Sequence, residues 1–458
     1  MIFGTLKAYL ALARSRSLAS ERVISEQQFR HVFDHARKHV PMYRQHYAGL
    51  PDDFSPSFEE MARLPIVTKE DIKDNFPDRT IADGIAAETL YEVATSGTTD
   101  RVMLFHDEEK RDWDRAADLF KRTAEGFAGV VIVPPNDCYE RCGLGEDGPI
   151  KVTPSDLVSG NRATRREAWR DLMRLAAARL VWKETPLTAP GVDGTAVGDD
   201  ILAGYLSEMQ APSVSIMKAL PMYGFVLAQR TDEADRGLKF FRPVGGKATP
   251  YMREVIEKNL HCRYWEHYGS AELGTVAEGC EHHLLHPMSR LFHIEFVRGG
   301  QPVPPGEPGE MLITDLQSKA CPLIRYSTGD IGRRVSPGCC GNDDTIEVYG
   351  RLQETVVTRD GRVIRPDLLL DLFLAHGSVD FAKLVQRDDD RFVLQFVGDC
   401  EDRKILEQEL ATRLKNFLDE DVQLQLQQVR RIAPEGSGKY RLVESTSWHR
   451  FHNHVDAA

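Results

Sequence analysis

What the chain has little of narrows its class before any motif is considered. Lys7, Arg14 and Arg16 interrupt the apolar opening "MIFGTLKAYLALARSRSLAS", and no uncharged run approaches the roughly 20 residues that span a bilayer. The opening therefore reads as an amphipathic first helix in preference to a cleaved leader, and no membrane partner is expected. Cysteine is sparse, eight in 458 residues, which excludes a disulfide-stapled scaffold and fits reduced thiols in the cytoplasm. Cationic excess is missing too: 58 Lys and Arg against 70 Asp and Glu give a formal charge of -12. That balance excludes a general binder of nucleic acid while leaving room for a local pocket that grips a small anion.

Several catalytic signatures are also missing. "GSGKY" at Gly436 to Tyr440 is no Walker loop, because Ala433 stands where the first glycine belongs and Tyr440 where a Ser or Thr would hold magnesium. Glu281-His282 has no HExxH frame, and no G-x-S-x-G elbow occurs. There is no internal repeat and no low-complexity segment.

The length exceeds what one core usually serves, so more than one domain is expected. Ser25 to about Leu64 reads as helix, with Phe29, Val32, Phe33 and Ala36 on one face, and Thr68 as a following N-cap with Asp71 three residues on. "WDRAADLFKRTAEGF" reads as helix and "GVVIVPP" as buried strand. Alternation then continues through "RREAWRDLMRLAAARLVW", "ILAGYLSEM", "SVSIMKALPMYGFVLAQ" and "REVIEKNL", the pattern of an α/β sheet with crossover helices. From Phe292 short strands and turns suggest a β-rich subdomain, with a boundary near Gly350-Arg351. Beyond it come a hairpin around Asp360-Gly361, two strands, a helix striped by Leu406, Leu410, Leu414 and Phe417, and an alternating "VQLQLQQV", together a compact α+β unit.

The richest chemistry lies in "TSGTTD". Gly97 permits close backbone approach, Thr95, Ser96, Thr98 and Thr99 supply hydroxyls, and successive N–H groups there form an anion-binding nest. In order along the chain follow "GGKATP", "YGSAE", "YSTGD", "GRLQE" and "GSGKYRLV". This series resembles the adenylate-forming superfamily of acyl-CoA synthetases and adenylation domains. The branch it resembles is that of phenylacetate-CoA ligase and coenzyme F390 synthetase, on "HVPMYR", "LPIVTKEDI", "PPGEPGEMLITDL" and "CPLIRYSTGDI".

The resemblance implies a large amino-terminal domain, residues 1–350, and a small mobile carboxy-terminal lid, residues 351–458. It implies that a substrate carboxylate attacks the α-phosphate of ATP, giving an acyl-adenylate and pyrophosphate, and that the acyl group then passes to coenzyme A. Delivery to a carrier protein or an amine is the alternative, and a nucleotide-binding homologue that has lost catalysis a third. Crowding anions together demands fixed cations and N–H donors aimed at the developing charge.

By the same resemblance Ser96, Gly97, Thr98 and Thr99 cradle the β- and γ-phosphates. Glu272 holds Mg2+, a hard cation suited to a carboxylate, and Asp330 accepts from the ribose hydroxyls. Tyr268, with Gly269 beside it, flanks the adenine, and Gly246 leaves room for the base. Arg351 assists at ribose or phosphate and marks the hinge, while Lys439 bridges the carboxylate and the α-phosphate. The acid pocket, for an aromatic or other organic acid, is implied near Tyr223, Gly245 and His267. Tyr223 with Phe225 serves equally well as plain helix core. The reading includes no nucleic acid and is compatible with a homodimer.

Three positions depart from the family pattern: Asp100 replaces a glycine, Val102 a frequent proline, and Ala271 a hydroxyl residue that touches phosphate or metal. Gln353-Glu354 replaces the usual acidic pair at the hinge. A second group, Cys280 and His286 in "GCEHHLLH" with Cys339-Cys340 in "SPGCCGND", offers the soft donors of a structural Zn2+. Some members of the branch resemble it here, with a Cys-x-Cys-Gly turn. Adjacent cysteines bind one metal only through a strained loop, so Cys321, His282 and His283 stand as substitutes.

Overall fold

The computed structural model describes residues 2–13, 18–95, 102–124, 129–132, 184–186, 214–231, 237–341, 344–435 and 439–453. The chain divides into two compact units. One comprises Met1–Ala124, Glu266–Pro366 and Glu444–Ala458, the other Glu125–Trp265 and Asp367–Val443.

In the first unit the helix expected from Ser25 to Leu64 is three pieces, α-helices Leu18–His39 and Pro41–His46 and a 3-10 helix Phe58–Arg63. Pro41 explains the break: lacking an N–H, it opens the second helix but cannot continue the first. The Phe29, Val32, Phe33 and Ala36 stripe is buried as expected. Thr68 Oγ1 accepts from Asp71 N at 3.1 Å while Thr68 N donates to Asp71 Oδ2 at 2.8 Å, a reciprocal cap.

An eight-stranded antiparallel sheet dominates this unit. Its order is Gln301–Pro302, Phe292–Arg298, Gly309–Asp315, Tyr326–Val335, Thr345–Arg351, Leu285–Pro287, Gly274–Gly279, His267–Ser270. The sheet thus begins at His267 rather than Phe292. The first of these strands is short and contains Gly269, so no apolar alternation announced it. Met311, Ile313 and Tyr326 join Phe33, Tyr43 and Tyr47 in the core. Arg325 is buried at the start of the central strand, with φ 50°. Its guanidinium pairs with Glu295 at 3.1 Å and donates to the carbonyls of Leu64 and Gly300. Burial outweighs that pairing and pushes the Glu295 carboxyl up.

In the second unit Glu184–Pro186, Gly129–Ile132, Val214–Ala219, Phe240–Pro243 and Arg263–Tyr264 form a parallel sheet. Helices Pro221–Gln229 and Pro250–Asn259 connect its later strands, the α/β alternation that the apolar runs imply. A four-stranded sheet of Gln423–Gln428, Arg391–Val397, Phe381–Gln386 and Val443–Glu444 accompanies helix Arg403–Leu418. That helix buries Leu406, Leu410, Leu414 and Leu418 at four-residue steps, so Leu418 takes the place expected of Phe417. Among the described residues no helix is long and apolar enough to cross a membrane. The part of that expected alternation within "RREAWRDLMRLAAARLVW" and "ILAGYLSEM" lies outside the described residues.

Candidate active site

Strands Tyr91–Ala94 and Met103–His106 pair antiparallel up to Ala94 opposite Met103. Thr95 N then donates to Val102 O at 3.0 Å, and Val102 N to Thr95 Oγ1 at 2.9 Å. The Thr95 hydroxyl oxygen thus accepts one of the bonds that join the two strand ends. The second bond also explains one departure: a proline at 102 has no N–H to give. Ser96, Gly97, Thr98, Thr99 and Asp100 lie outside the described residues.

The three strands carrying "YGS", "YSTGD" and "GR" bring three expected nucleotide residues together. Tyr268 Oη donates to Asp330 Oδ2 at 2.6 Å, and Arg351 Nε lies 3.3 Å from Asp330 Oδ1. Asp330 and Arg351 are register partners on adjacent strands, so the ion pair follows from strand pairing. Arg351 Nη1 also donates to Thr328 O at 2.7 Å, and Asp330 N to Thr328 Oγ1 at 3.2 Å. Loss of solvent, reinforced by the Asp330 charge, raises the Tyr268 phenol well above its usual range, so it stays a donor. Asp330 in turn raises the Arg351 guanidinium further. The grouping presents a fixed carboxylate with two oriented donors.

Glu272 sits in the turn between His267–Ser270 and Gly274–Gly279 and is 7% exposed. Buried Tyr326 donates to its Oε1 at 3.4 Å, while Oε2 takes no hydrogen bond among the described residues. One carboxylate oxygen thus remains for a hard cation, and the donor fits Mg2+. Ala271, just before it, offers no hydroxyl. Tyr326 and Thr328 were missed as functional residues although their motif was singled out. The signal was there, in the Tyr and Thr of "YSTGD".

In the second unit Lys439 approaches the "GGKATP" loop. A Cβ built on Gly245, which has φ 73°, would lie 3.1 Å from Lys439 Cε and 3.8 Å from its Nζ. Only glycine permits both this backbone and this approach. Lys247 Nζ pairs with Asp367 Oδ2 at 3.0 Å, pinning the same loop. Gly246 is exposed, with Pro221 the nearest side chain. Tyr223 is 7% exposed on helix Pro221–Gln229, a helix buried along nearly its whole length. Gly269, in the first unit, packs against Gly274 O, where a Cβ would come within 2.3 Å. His267 Nδ1 lies 3.1 Å from Glu278 Oε1, its register partner.

The sulfur-rich group also assembles. Ligand atoms of Cys280, His286, Cys339 and Cys340 all lie within 4.8 Å of one another. Cys280 Sγ to Cys339 Sγ and Cys339 Sγ to His286 Nε2 are each 3.5 Å. Cys280 directly follows the strand Gly274–Gly279 and His286 sits on its partner strand Leu285–Pro287, while the two adjacent cysteines lie on the turn between Tyr326–Val335 and Thr345–Arg351. The loop strain expected of adjacent ligands appears at Cys340, whose φ is 54°. Desolvation and the neighbouring thiols push the Cys339 thiol up to about 12. Three sulfurs and one imidazole match the soft, closed donor set of structural zinc. Cys321 is buried beside Thr80 and Phe105 instead, and exposed His282 lies 3.9 Å from Glu281.

No family model matches the chain. Two curated relatives are named phenylacetate-coenzyme A ligase. The one from Escherichia coli (strain K12) is 25% identical over 76% of this chain and 75% of its own. The one from Pseudomonas putida is 24% identical over 92% and 93%. Among solved structures, 2-hydroxyisobutyryl-CoA ligase in the postadenylation state, in complex with 2-HIB-AMP, superposes with a TM-score of 0.70 at 17% identity, covering 96% of this chain and 92% of its own. A benzoate CoA ligase from Burkholderia xenovorans LB400 gives a TM-score of 0.53 at 16% identity over 78% and 68%.

Proposed function

We propose that this adenylate-forming chain, a relative of the phenylacetate-CoA ligases, uses ATP to activate a carboxylic acid of the aromatic class and passes the acyl group to the thiol of coenzyme A. The observation that carries this reading is the convergence of Tyr268, Asp330 and Arg351 on one sheet with Glu272, in a chain similar to those ligases over most of its length.

In this reading the Asp330 carboxylate, already oriented by Tyr268 and Arg351, exchanges one donor for the ribose hydroxyls. Glu272 would hold Mg2+, which would supply charge neutralisation at the phosphates when bound. Ser96, Gly97, Thr98 and Thr99 grip the β- and γ-phosphates through backbone N–H groups and hydroxyls. Lys439 brings a point charge between the attacking carboxylate and the α-phosphate, lowering the repulsion that opposes their approach. Residues 351–458 form the moving lid, with the single 3-10 turn Leu352–Glu354 beside Arg351 as its hinge.

The test is pyrophosphate exchange over a panel of carboxylic acids. An arylacetic or benzoic acid is expected to support exchange, and added coenzyme A to drive AMP release with thioester formation. Exchange followed by release only with an amine or a carrier protein would overturn the acceptor assignment. No exchange with any acid, despite ATP binding, would overturn the activity.

We also propose that Cys280, His286, Cys339 and Cys340 hold one structural Zn2+. The purified protein should then contain about one zinc per chain by mass spectrometry of metals. Chelation should lower Tm, because cation binding to the folded state is folding free energy. A chain free of zinc, whose Tm does not respond to added Zn2+, would refute this.

A further inference from the structure

The Glu272 turn is gripped from behind by residues that no motif includes. His106 ends the strand that leaves the "TSGTTDR" loop, and Lys110 lies one helical turn later on Glu108–Ala124. His106 Nε2 donates to Glu272 O at 2.9 Å, and Lys110 Nζ to Leu273 O at 2.8 Å. Gly274 follows with φ 78°, and a Cβ there would come within 2.6 Å of Asp114 Oδ1. Two consecutive carbonyls of the turn are thus held by one short segment, which leaves no room for a side chain at Gly274.

That segment is itself rigid. Lys110 is 1% exposed and lies 3.2 Å from Asp114 Oδ1 and 3.0 Å from Asp315 Oδ2, with its ammonium over the Phe292 ring at 4.8 Å. Asp315 Oδ1 is fixed in turn by the N–H groups of Gln317 and Ser318 at 2.8 and 3.2 Å. His106 is 6% exposed, and its Nε2 carries the N–H that faces the Glu272 carbonyl, because a carbonyl oxygen can only accept. A buried cation between two carboxylates costs desolvation that an apolar core avoids. The arrangement holds a geometry more than it adds stability.

We infer that His106 and Lys110 are positioning residues for Glu272, clamping the backbone of its turn so that the carboxylate is held ready for a magnesium–nucleotide complex. The inference rests on the proposed metal role of Glu272. In the sequence His106 and Lys110 follow Thr99 by seven and eleven positions. The grip corresponds to outer contacts on metal ligands generally, whose loss costs about 10- to 100-fold in metal affinity.

The test measures Mn2+ by electron paramagnetic resonance, bound to the full chain with α,β-methylene-ATP, an analogue whose α–β bridge resists cleavage. His106→Leu should weaken Mn2+ binding about tenfold and raise the Mg2+ needed for half-maximal pyrophosphate exchange. His106→Gln, which keeps an N–H donor, should restore most of both. Melting curves identify variants that do not fold; if His106→Leu is one, Asp114→Asn, which loosens Lys110 and the Gly274 contact, should weaken Mn2+ severalfold. Folded His106→Leu or Asp114→Asn with wild-type Mn2+ affinity overturns the positioning role. Glu272→Gln separates the two claims: if it abolishes Mn2+ binding while the His106 variants bind normally, only the positioning role fails. If Glu272→Gln binds Mn2+ normally, the metal role of Glu272 fails, and the inference with it.

Discussion

Lys439→Ala should lower acid-dependent pyrophosphate exchange by about 100- to 1000-fold, the range found when one preorganised partner of transition-state charge is removed. The expected loss is in kcat, with KM for ATP changed far less, because the lysine's charge matters most when the carboxylate and α-phosphate oxygens are forced together. Thioester formation from a supplied acyl-adenylate should stay within severalfold of wild type, since that step forms no new contact between two anions. Lys439→Arg should rescue poorly. Its planar fork needs more room than an ammonium, and Gly245 already leaves a separation of only 3.1 Å between a built Cβ and Lys439 Cε. Gly245→Ala should impair the same step by pressing on the lysine stem and straining a backbone at φ 73°. Exchange kinetics of the three variants check this; unchanged exchange in Lys439→Ala would remove the lysine from the chemistry.

Arg325→Met should be the most destabilising single change in the first unit, by roughly 3–5 kcal/mol. It leaves the Glu295 carboxylate, 9% exposed, without its cation, and abandons the carbonyls of Leu64 and Gly300. Adding Glu295→Leu should recover much of the loss, because a buried pair replaced as a whole leaves no uncompensated charge. The cycle is read by urea unfolding of the four proteins. A double variant no more stable than Arg325→Met would mean that the arginine acts through the carbonyls alone. Exchange activity should fall with the single variant as well, since Arg325 directly precedes the strand that carries Tyr326, Thr328 and Asp330.

How much of this was legible beforehand differs from residue to residue for physical reasons. The Asp360-Gly361 turn signal located the hairpin around it, and apolar periodicity read along the chain located the buried stripe of Phe29, Val32, Phe33 and Ala36. It misjudged Phe417 because neighbouring helix positions compete for one face, and packing selects Leu418. It missed the strand His267–Ser270, where a glycine and polar residues give no alternation and pairing with Gly274–Gly279 alone makes a strand. Tyr326 was hidden for another reason: a tyrosine in a motif signals its presence but not the atom that its hydroxyl meets.

From local chemistry alone come the phosphate-loop composition, the order of the motifs and the soft-ligand candidates, since each depends on residue type and spacing; the adenylate-forming class is what the resemblance of those motifs implies. Tertiary structure decided which of those residues meet. Strand register placed Asp330 against Arg351, the fold of the sheet brought Tyr268 from a distant strand to Asp330, and a left-handed Cys340 let adjacent thiols join one cluster. The clamp of His106 and Lys110 on Glu272 spans more than 160 positions of chain, 166 and 163 between bonded residues. A contact of that range depends on the fold's closure of distant segments, and no local pattern of residues encodes it.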